Sequence, residues 1–332
     1  MKLLSAGING FGRFGIHLLK YWLDRCKESN FTIKFINDDF LSPQEVYELI
    51  LNDEYVSFNK FKVQLSGDNL NIIKPSGEKF EIRLTSSDPE TLDWIGQPDL
   101  FFECSGKRTV AERNKCLIKG NTKIVIVSAT SWDIPKTLVY GFNHKDFKTS
   151  DTLISYGSCT VNAYVPLAKY MHERYKFPDS DVNVVHNVAK HKLENTLIRK
   201  FCTLEKSAQQ FFSFLNDDNF IVNYTVVPYT GVSMIDFRFR IPESVTLNQF
   251  ISDFEEAITD GELKGLYGMD EVDIGPEVHN CTTFSTNFIR ENIKLIGNNI
   301  YMHGYFDTEN SVNRYFDLVN FISEKFLEDI EN

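Results

Sequence analysis

Residues Ile8 to Gly15 read Ile-Asn-Gly-Phe-Gly-Arg-Phe-Gly, so that Gly10, Gly12 and Gly15 form the pattern G-x-G-x-x-G. The pattern alone is weak. Here an apolar stretch, Leu3 to Ile8, precedes it, and Ile16, Leu19, Leu23 and Cys26 follow at helical spacing. Strand, glycine turn and helix together give the pattern its weight. The first glycine permits a tight turn, the second lets the backbone approach a pyrophosphate, and the third allows close helix–strand packing. Unpaired N–H groups at the helix start then face the anion. Arg13 and Phe14 lie inside the same run and join the three glycines as candidate dinucleotide contacts. An acidic residue is expected about 20 positions further on. Asp38 follows Gly15 by 23 residues, at the end of the alternating segment Phe31–Ile36. A carboxylate there accepts hydrogen bonds from a ribose diol and repels a 2′-phosphate, which favours NAD over NADP. The alternative is a plain glycine turn beside an acidic loop.

The rest of the first half alternates strand-like and helix-like patterns. Pro43 to Leu51 reads as a helix with Ser42 as its N-cap. Hairpin-like segments surround Val63, Ile72 and Ile82. Leu100–Phe102 and Ile124–Val127 read as buried strands, with a helix expected between them over Thr109–Ile118. Such alternation predicts a Rossmann-type, doubly wound parallel sheet with helices on both faces. The second half is different. Long strand-like runs dominate: Val182–Val188, Phe220–Val227, Val232–Ile241, Asn292–Ile296 and Ile300–Tyr305. Helices are expected over Thr160–Tyr175, Leu247–Ile258 and Asn313–Leu327. This predicts an α+β domain with a mostly antiparallel sheet. The expected organisation is therefore α/β: residues 1–150 as the NAD-binding domain and 151–312 as a catalytic domain. The C-terminal helix, 313–332, is expected to pack back on the first.

A chain of 332 residues is long enough for two cores of this kind. Its net charge of −11 disfavours general nucleic-acid binding, because an acidic surface repels a phosphate backbone. Six cysteines, none in a CxxC pair, read as free thiols of a reducing compartment rather than metal ligands or disulfides. Met1 to Gly7 has no signal-peptide core, and no apolar run approaches about 18 residues. The expectation is a cytoplasmic protein with no metal, nucleic acid or membrane partner.

Ser158-Cys159-Thr160-Val161-Asn162 forms a second constellation. Tyr156-Gly157 reads as a turn and Thr160 onward as a helix, so Cys159 falls at a helix N-terminus. The dipole and free N–H groups there stabilise a thiolate. The same groups can hold an oxyanion on a carbon that the sulfur attacks. A cysteine in isolation is as readily a small core residue. A base is needed, and His186 sits in the alternating strand Val182–Val188 that aims it at one face. His191 is a rival, and a lone strand histidine is often structural.

These residues resemble the phosphorylating glyceraldehyde-3-phosphate dehydrogenases over nearly the whole chain. Gly7-Ile8-Asn9-Gly10-Phe11-Gly12-Arg13 and Ile36-Asn37-Asp38 are similar to the family's cofactor motifs. Cys104-Ser105-Gly106 and Val127-Ser128-Ala129-Thr130 stand where it has Ser-Thr-Gly and Ser-Ala-Pro. Gly141-Phe142-Asn143-His144 resembles Gly-Val-Asn-His, and Ser158-Cys159-Thr160-Val161-Asn162 resembles Ser-Cys-Thr-Thr-Asn. Val232-Ser233-Met234-Ile235-Asp236 and Phe306-Asp307-Thr308-Glu309 continue the match. The 27-residue gap from Cys159 to His186 is the family's own spacing. The resemblance implies that the Cys159 thiolate attacks an aldehyde and that His186 acts as general base. A thioester is then resolved by inorganic phosphate at Ser158 and Thr160. It adds Ser128 and Thr308 to the cofactor contacts and implies a homotetramer or homodimer.

The departures cluster on substrate recognition. Ala189 stands where the family has a phosphate-binding threonine, and Val226 where it has a phosphate-binding arginine. The following loop is shortened, with the family's Thr-Gly pair aligned only loosely to Cys202-Thr203. Thr308 replaces an asparagine. Lys190, His191, Lys192, Arg199 and Lys200 either replace the missing charge or form a solvated basic face. Three readings stay open: oxidation of a small phosphorylated aldehyde, oxidation of another aldehyde without phosphate, and a non-catalytic NAD-binding relative.

Overall fold

The computed structural model describes residues 3–53, 55–187, 198–228 and 231–331, the side chains of Thr308 and Glu331 excepted. The chain divides into two units. Residues 1–138, 143–157 and 315–332 make the first; 139–142 and 158–314 make the second. Ala189, Lys190, His191 and Lys192 lie outside the described residues.

The first unit runs β1 (Leu4–Asn9), α1 (Arg13–Arg25), β2 (Phe31–Asn37), α2 (Pro43–Asn52), β3 (Lys62–Ser66), β4 (Asn69–Ile73) and β5 (Lys79–Thr85). It continues with β6 (Leu100–Glu103), α3 (Ala111–Asn114), β7 (Ile124–Val127) and β8 (Leu153–Ser155). Its eight-stranded sheet has the order β3-β4-β5-β2-β1-β6-β7-β8. From β5 to β8 every pairing is parallel; β3 and β4 add an antiparallel hairpin edge. This is the doubly wound parallel sheet expected from the alternation. β6 and β7 are buried at every residue, as strands covered on both faces must be. Order reverses at β1, which pairs with β2 on one side and β6 on the other, and the glycine turn leaves the sheet there.

Local chemistry sets the ends of the helices. Ser42 and Glu45 form a reciprocal capping box at α2, with Pro43 at its first position. The helix expected over Thr109–Ile118 is only the four-residue α3 followed by a 3₁₀ turn at Lys115–Leu117. Asn114 explains the difference. Its Nδ2 donates to the carbonyls of Arg108 at 2.8 Å and Val110 at 3.0 Å, tying up the preceding backbone in a local alternative to a longer helix.

The second unit contains α4 (Cys159–Tyr175), β9 (Ser180–Asn187), β10 (Ile198–Arg199), α5 (Thr203–Phe211), β11 (Phe220–Val227) and β12 (Ser233–Arg240). It continues with α6 (Leu247–Thr259), β13 (Tyr267–Asp270), β14 (Thr286–Ile289), β15 (Lys294–Ile296) and β16 (Asn299–Phe306). The final helix α7 (Thr308–Glu331) starts here, earlier than the Asn313 expected, and continues into the first unit from Tyr315. Strand order is β10-β11-β9-β12-β16-β14-β13, with β15 paired to β16. The sheet is mixed: β9–β11 and β13–β14 are parallel, and the other five pairings are antiparallel.

Alternation along β9, β11 and β12 sends Val182, Val184, Val222, Phe237 and Phe239 to one face, where they pack against α4. Tyr164 of α4 lies nearly parallel to Phe239, with ring centroids 5.9 Å apart, and its hydroxyl meets Ser180 Oγ at 2.6 Å. Pro166 sits inside α4 without breaking it. The Tyr267 hydroxyl accepts from Leu167 N–H at 2.9 Å and donates to the Ala163 carbonyl at 2.8 Å, bridging the helix ladder there.

Two stability outcomes follow. Phe239 is fully buried, so Phe239→Ala should cost about 3–5 kcal/mol, read as a lower urea midpoint. His17, on the buried face of α1, has a pKa pushed down to about 3, chiefly by burial. Its unfolded value is about 6.5, so the unfolded chain takes up a proton that the folded chain resists. Stability should fall as pH drops from about 6.5 toward 3, by up to about 4 kcal/mol from this group. Denaturant titrations of His17→Gln should show a flatter pH dependence in that window; an unchanged slope would exclude His17 as its source.

Candidate active site

In the first unit the glycine turn is built by close packing. Gly10 has φ of +92°, and a side chain there would strike the backbone of Cys104 and Ser105. At Gly15 a methyl would strike the Gly10 carbonyl, so the third glycine lets α1 close onto the turn. Gly12 is different. It caps α1, no side chain caps the helix, and a Cβ there would point into open space. That is the position at which a pyrophosphate would approach the backbone.

Asp38 is buried beside the turn. Its Oδ2 accepts from Phe11 N–H at 2.7 Å; its Oδ1 accepts from Phe40 and Leu41 N–H at 2.9 and 3.1 Å. Three bonds leave the carboxylate about one acceptor position for a hydroxyl. Arg13 begins α1. Phe14 packs edge-on against Tyr156 and Tyr315 at 5.6 and 5.1 Å, as a core ring. Ser128 follows β7, its N–H donating to the Glu103 carbonyl at 2.9 Å. Glu103 belongs to none of the sequence motifs. Its carboxylate accepts from Asn9 Nδ2 at 2.6 Å and from Ser105 N–H at 2.9 Å, and burial raises its pKa.

Beside these groups lies a cavity of about 220 Å³ lined by residues including Asn9, Asp39, Glu90, Ser105, Lys107 and Arg108. Arg108 is buried, and its Nε has no hydrogen-bond partner among the described residues. An uncovered glycine cradle, a ribose-competent carboxylate and a polar cavity in one unit fit NAD. The side chain of Thr308 lies outside the described set.

In the second unit Cys159 is the first residue of α4. Ser158 caps the helix, its Oγ accepting from Val161 N–H at 3.4 Å. His186, the second inward-facing residue after Val182 on β9, is buried, and its Nε2 lies 3.6 Å from Cys159 Sγ. Its Nδ1 donates to the Asn187 carbonyl at 2.7 Å and lies 3.4 Å from Ser233 Oγ. Tyr224 and Phe306 stand edge-on to the imidazole, each with centroids 5.7 Å away. Burial and the neighbouring Cys159, Cys202 and Asp307 push the Tyr224 hydroxyl's pKa up, so it is a neutral wall of the site.

A hydroxyl cluster flanks the sulfur. Ser158 Oγ is 3.2 Å from Thr160 Oγ1, and Thr203 Oγ1 donates to Ser158 Oγ at 3.3 Å. Thr160 Oγ1 also lies 3.6 Å from Cys202 Sγ. Burial raises the pKa of both Cys202 and Cys104, which leaves them as inert thiols. Val226, the register partner of His186, is buried. Arg199 bonds Asn223 Oδ1 at 2.6 Å on an exposed edge.

The second unit thus brings together Cys159, His186, Ser158 and Thr160. Sequence reasoning gave no role to Asn187, Thr203, Tyr224, Ser233 or Asp307. Ser233 and Asp307 lay inside quoted motifs, which was the available signal; Tyr224 had none. Among the described residues no cluster of His, Cys, Asp and Glu could hold a metal, and no helix is long and apolar enough to cross a membrane.

No protein-family model matches the chain. Full-length comparison is more informative. The glyceraldehyde-3-phosphate dehydrogenase of Cochliobolus lunatus is 25% identical, with 97% of this chain and 98% of that protein aligned. That of Claviceps purpurea is 26% identical over the same shares. The plasmid form from Cupriavidus necator is 26% identical, covering 92% of this chain and 94% of its own. Over nearly its whole length, this chain with its parallel sheet and glycine turn is thus similar to the glyceraldehyde-3-phosphate dehydrogenases, at 25–26% identity.

Proposed function

We propose that the protein is an NAD-dependent aldehyde dehydrogenase that oxidises a small phosphorylated aldehyde of the glyceraldehyde 3-phosphate type. One observation carries the reading: a cysteine at the first position of a 17-residue helix, its sulfur 3.6 Å from a buried imidazole nitrogen. The Cys159 sulfur gives its proton to His186 Nε2 and attacks the aldehyde carbon, making a thiohemiacetal. Backbone N–H groups at the start of α4 hold the developing oxyanion, and the protonated His186 returns its proton to it, which makes the thiohemiacetal hydroxyl and leaves the imidazole neutral. NAD, when bound through Gly10, Gly12, Arg13, Phe14, Gly15, Asp38 and Ser128, would supply the acceptor for the hydride that leaves this carbon. His186 takes the hydroxyl proton as the thioester forms. Ser158 and Thr160, joined by Thr203, orient inorganic phosphate to attack the thioester. The C–S bond breaks, an acyl phosphate leaves, and Cys159 is regenerated. The working form is a cytoplasmic homo-oligomer, a tetramer or a dimer.

Val226 favours a second reading. A buried apolar side chain pairs with His186 where the resembling family carries its phosphate arginine. Losing such a charge-assisted fork forfeits about 1.5–3 kcal/mol of phosphate binding. A non-phosphorylated aldehyde, with water resolving the thioester, answers that loss.

An assay of NADH formation separates these readings. Glyceraldehyde 3-phosphate and non-phosphorylated aldehydes are offered with and without inorganic phosphate or arsenate. The first reading expects phosphate-dependent turnover on the phosphorylated substrate, lost by at least about 10⁴-fold in Cys159→Ala. Turnover indifferent to phosphate supports the second. No turnover on any aldehyde, with Cys159 still readily alkylated, would sink both.

A further inference from the structure

The imidazole of His186 is held from behind by a residue that the catalytic reading does not use. Every polar group of Asn187 is committed. Its backbone N–H donates to Ser233 Oγ at 3.1 Å, and its carbonyl accepts from His186 Nδ1 at 2.7 Å. Its Nδ2 donates to the Gly231 carbonyl and to Asp307 Oδ2, the latter at 3.1 Å. Its Oδ1 accepts from Ser233 Oγ at 3.1 Å. Asn187, Ser233 and Asp307 are all buried, at 2% exposure or less.

The proton positions follow from what each partner can accept. A carbonyl oxygen and a carboxylate are acceptors, so the amide must turn its NH₂ toward Gly231 and Asp307. That leaves Oδ1 facing Ser233. The single hydroxyl proton of Ser233 is then spent on Oδ1. Ser233 Oγ, 3.4 Å from His186 Nδ1, can only accept from it. The second neighbour of Nδ1 is the Asn187 carbonyl, also an acceptor. Nδ1 is therefore protonated in both charge states of the ring, and the nitrogen that exchanges a proton with Cys159 is Nε2.

We propose that Asn187 is a positioning residue: oriented by Asp307 and Gly231, and acting through Ser233, it sets the tautomer of His186. The inference rests on the proposed function only for its catalytic consequence, since its readouts need no aldehyde.

The test uses the full chain labelled with ¹⁵N-histidine. Above the pH at which the imidazolium loses its proton, long-range proton–nitrogen spectra should show His186 as the Nδ1–H tautomer. In Asn187→Ala the Ser233 hydroxyl is released to donate to Nδ1, and a mixture with the Nε2–H form should appear. Iodoacetamide labelling of Cys159 at pH 7 should slow by about three- to tenfold, the effect of losing one neutral hydrogen bond, with its pH profile displaced upward. Asn187→Leu frees the same hydroxyl and carries the same test should Asn187→Ala not fold. Adding Ser233→Ala to either variant removes the competing donor and should restore the Nδ1–H form. A folded Asn187→Ala with unchanged tautomer and unchanged alkylation profile would overturn the proposal. Absence of aldehyde turnover in the wild type would instead defeat the proposed function and leave this assignment standing.

Discussion

The chemistry of the second unit depends on where α4 begins. Ser158 caps the helix through its own hydroxyl, so Cys159 is the first residue of regular helix and its sulfur stands at the positive end of the backbone dipole. Shifting that start by one residue would rotate the sulfur by about 100° around the axis and away from β9. The rest of α4 makes such a shift costly. Its buried side chains interlock with the aromatic face of the sheet, and Tyr267 bridges the ladder beside Pro166. Core packing thereby fixes the rotational position of one reactive atom.

The histidine arrives by a separate route. Strand β9 pairs in parallel with β11 and antiparallel with β12, which leaves its register no freedom. Alternation then sends His186 to the α4 face with Val182 and Val184. At the strand end, Asn187 turns its polar groups to Ser233 at the start of β12 and to Gly231 and Asp307. Burying this polar network is tolerable because each donor and acceptor of Asn187 is satisfied. The same satisfaction leaves a single arrangement of protons around the ring.

Much of this was legible in the residues. The glycine turn follows a strand and opens a helix, as its spacing implied. Continuous apolar runs at Leu100 and Ile124 became central parallel strands, and α4, β12 and α6 ended within a residue or so of where periodicity put them. Other elements were not legible. The two-residue β10 is too short to carry a pattern, and the buried positions of α5 include Ser207 and Ala208, which mute its periodicity. The helix after β6 is cut short by Asn114, whose side chain bonds the backbone in a way that composition does not reveal.

Local pattern determined the kinds of element, the glycine turn and the helix-initial cysteine, because turn chemistry, capping and periodicity act over a few residues. Tertiary structure decided which groups meet. Val226 rather than a cation stands level with His186, Tyr224 and Phe306 flank its ring, and Asn187, Ser233, Gly231 and Asp307 converge behind it. Gly231, Ser233 and Asp307 are 44 to 120 positions from Asn187 in the bonds they make with it. Only strand register and packing bring groups so distant in sequence within hydrogen-bonding range, and no local signal encodes that register.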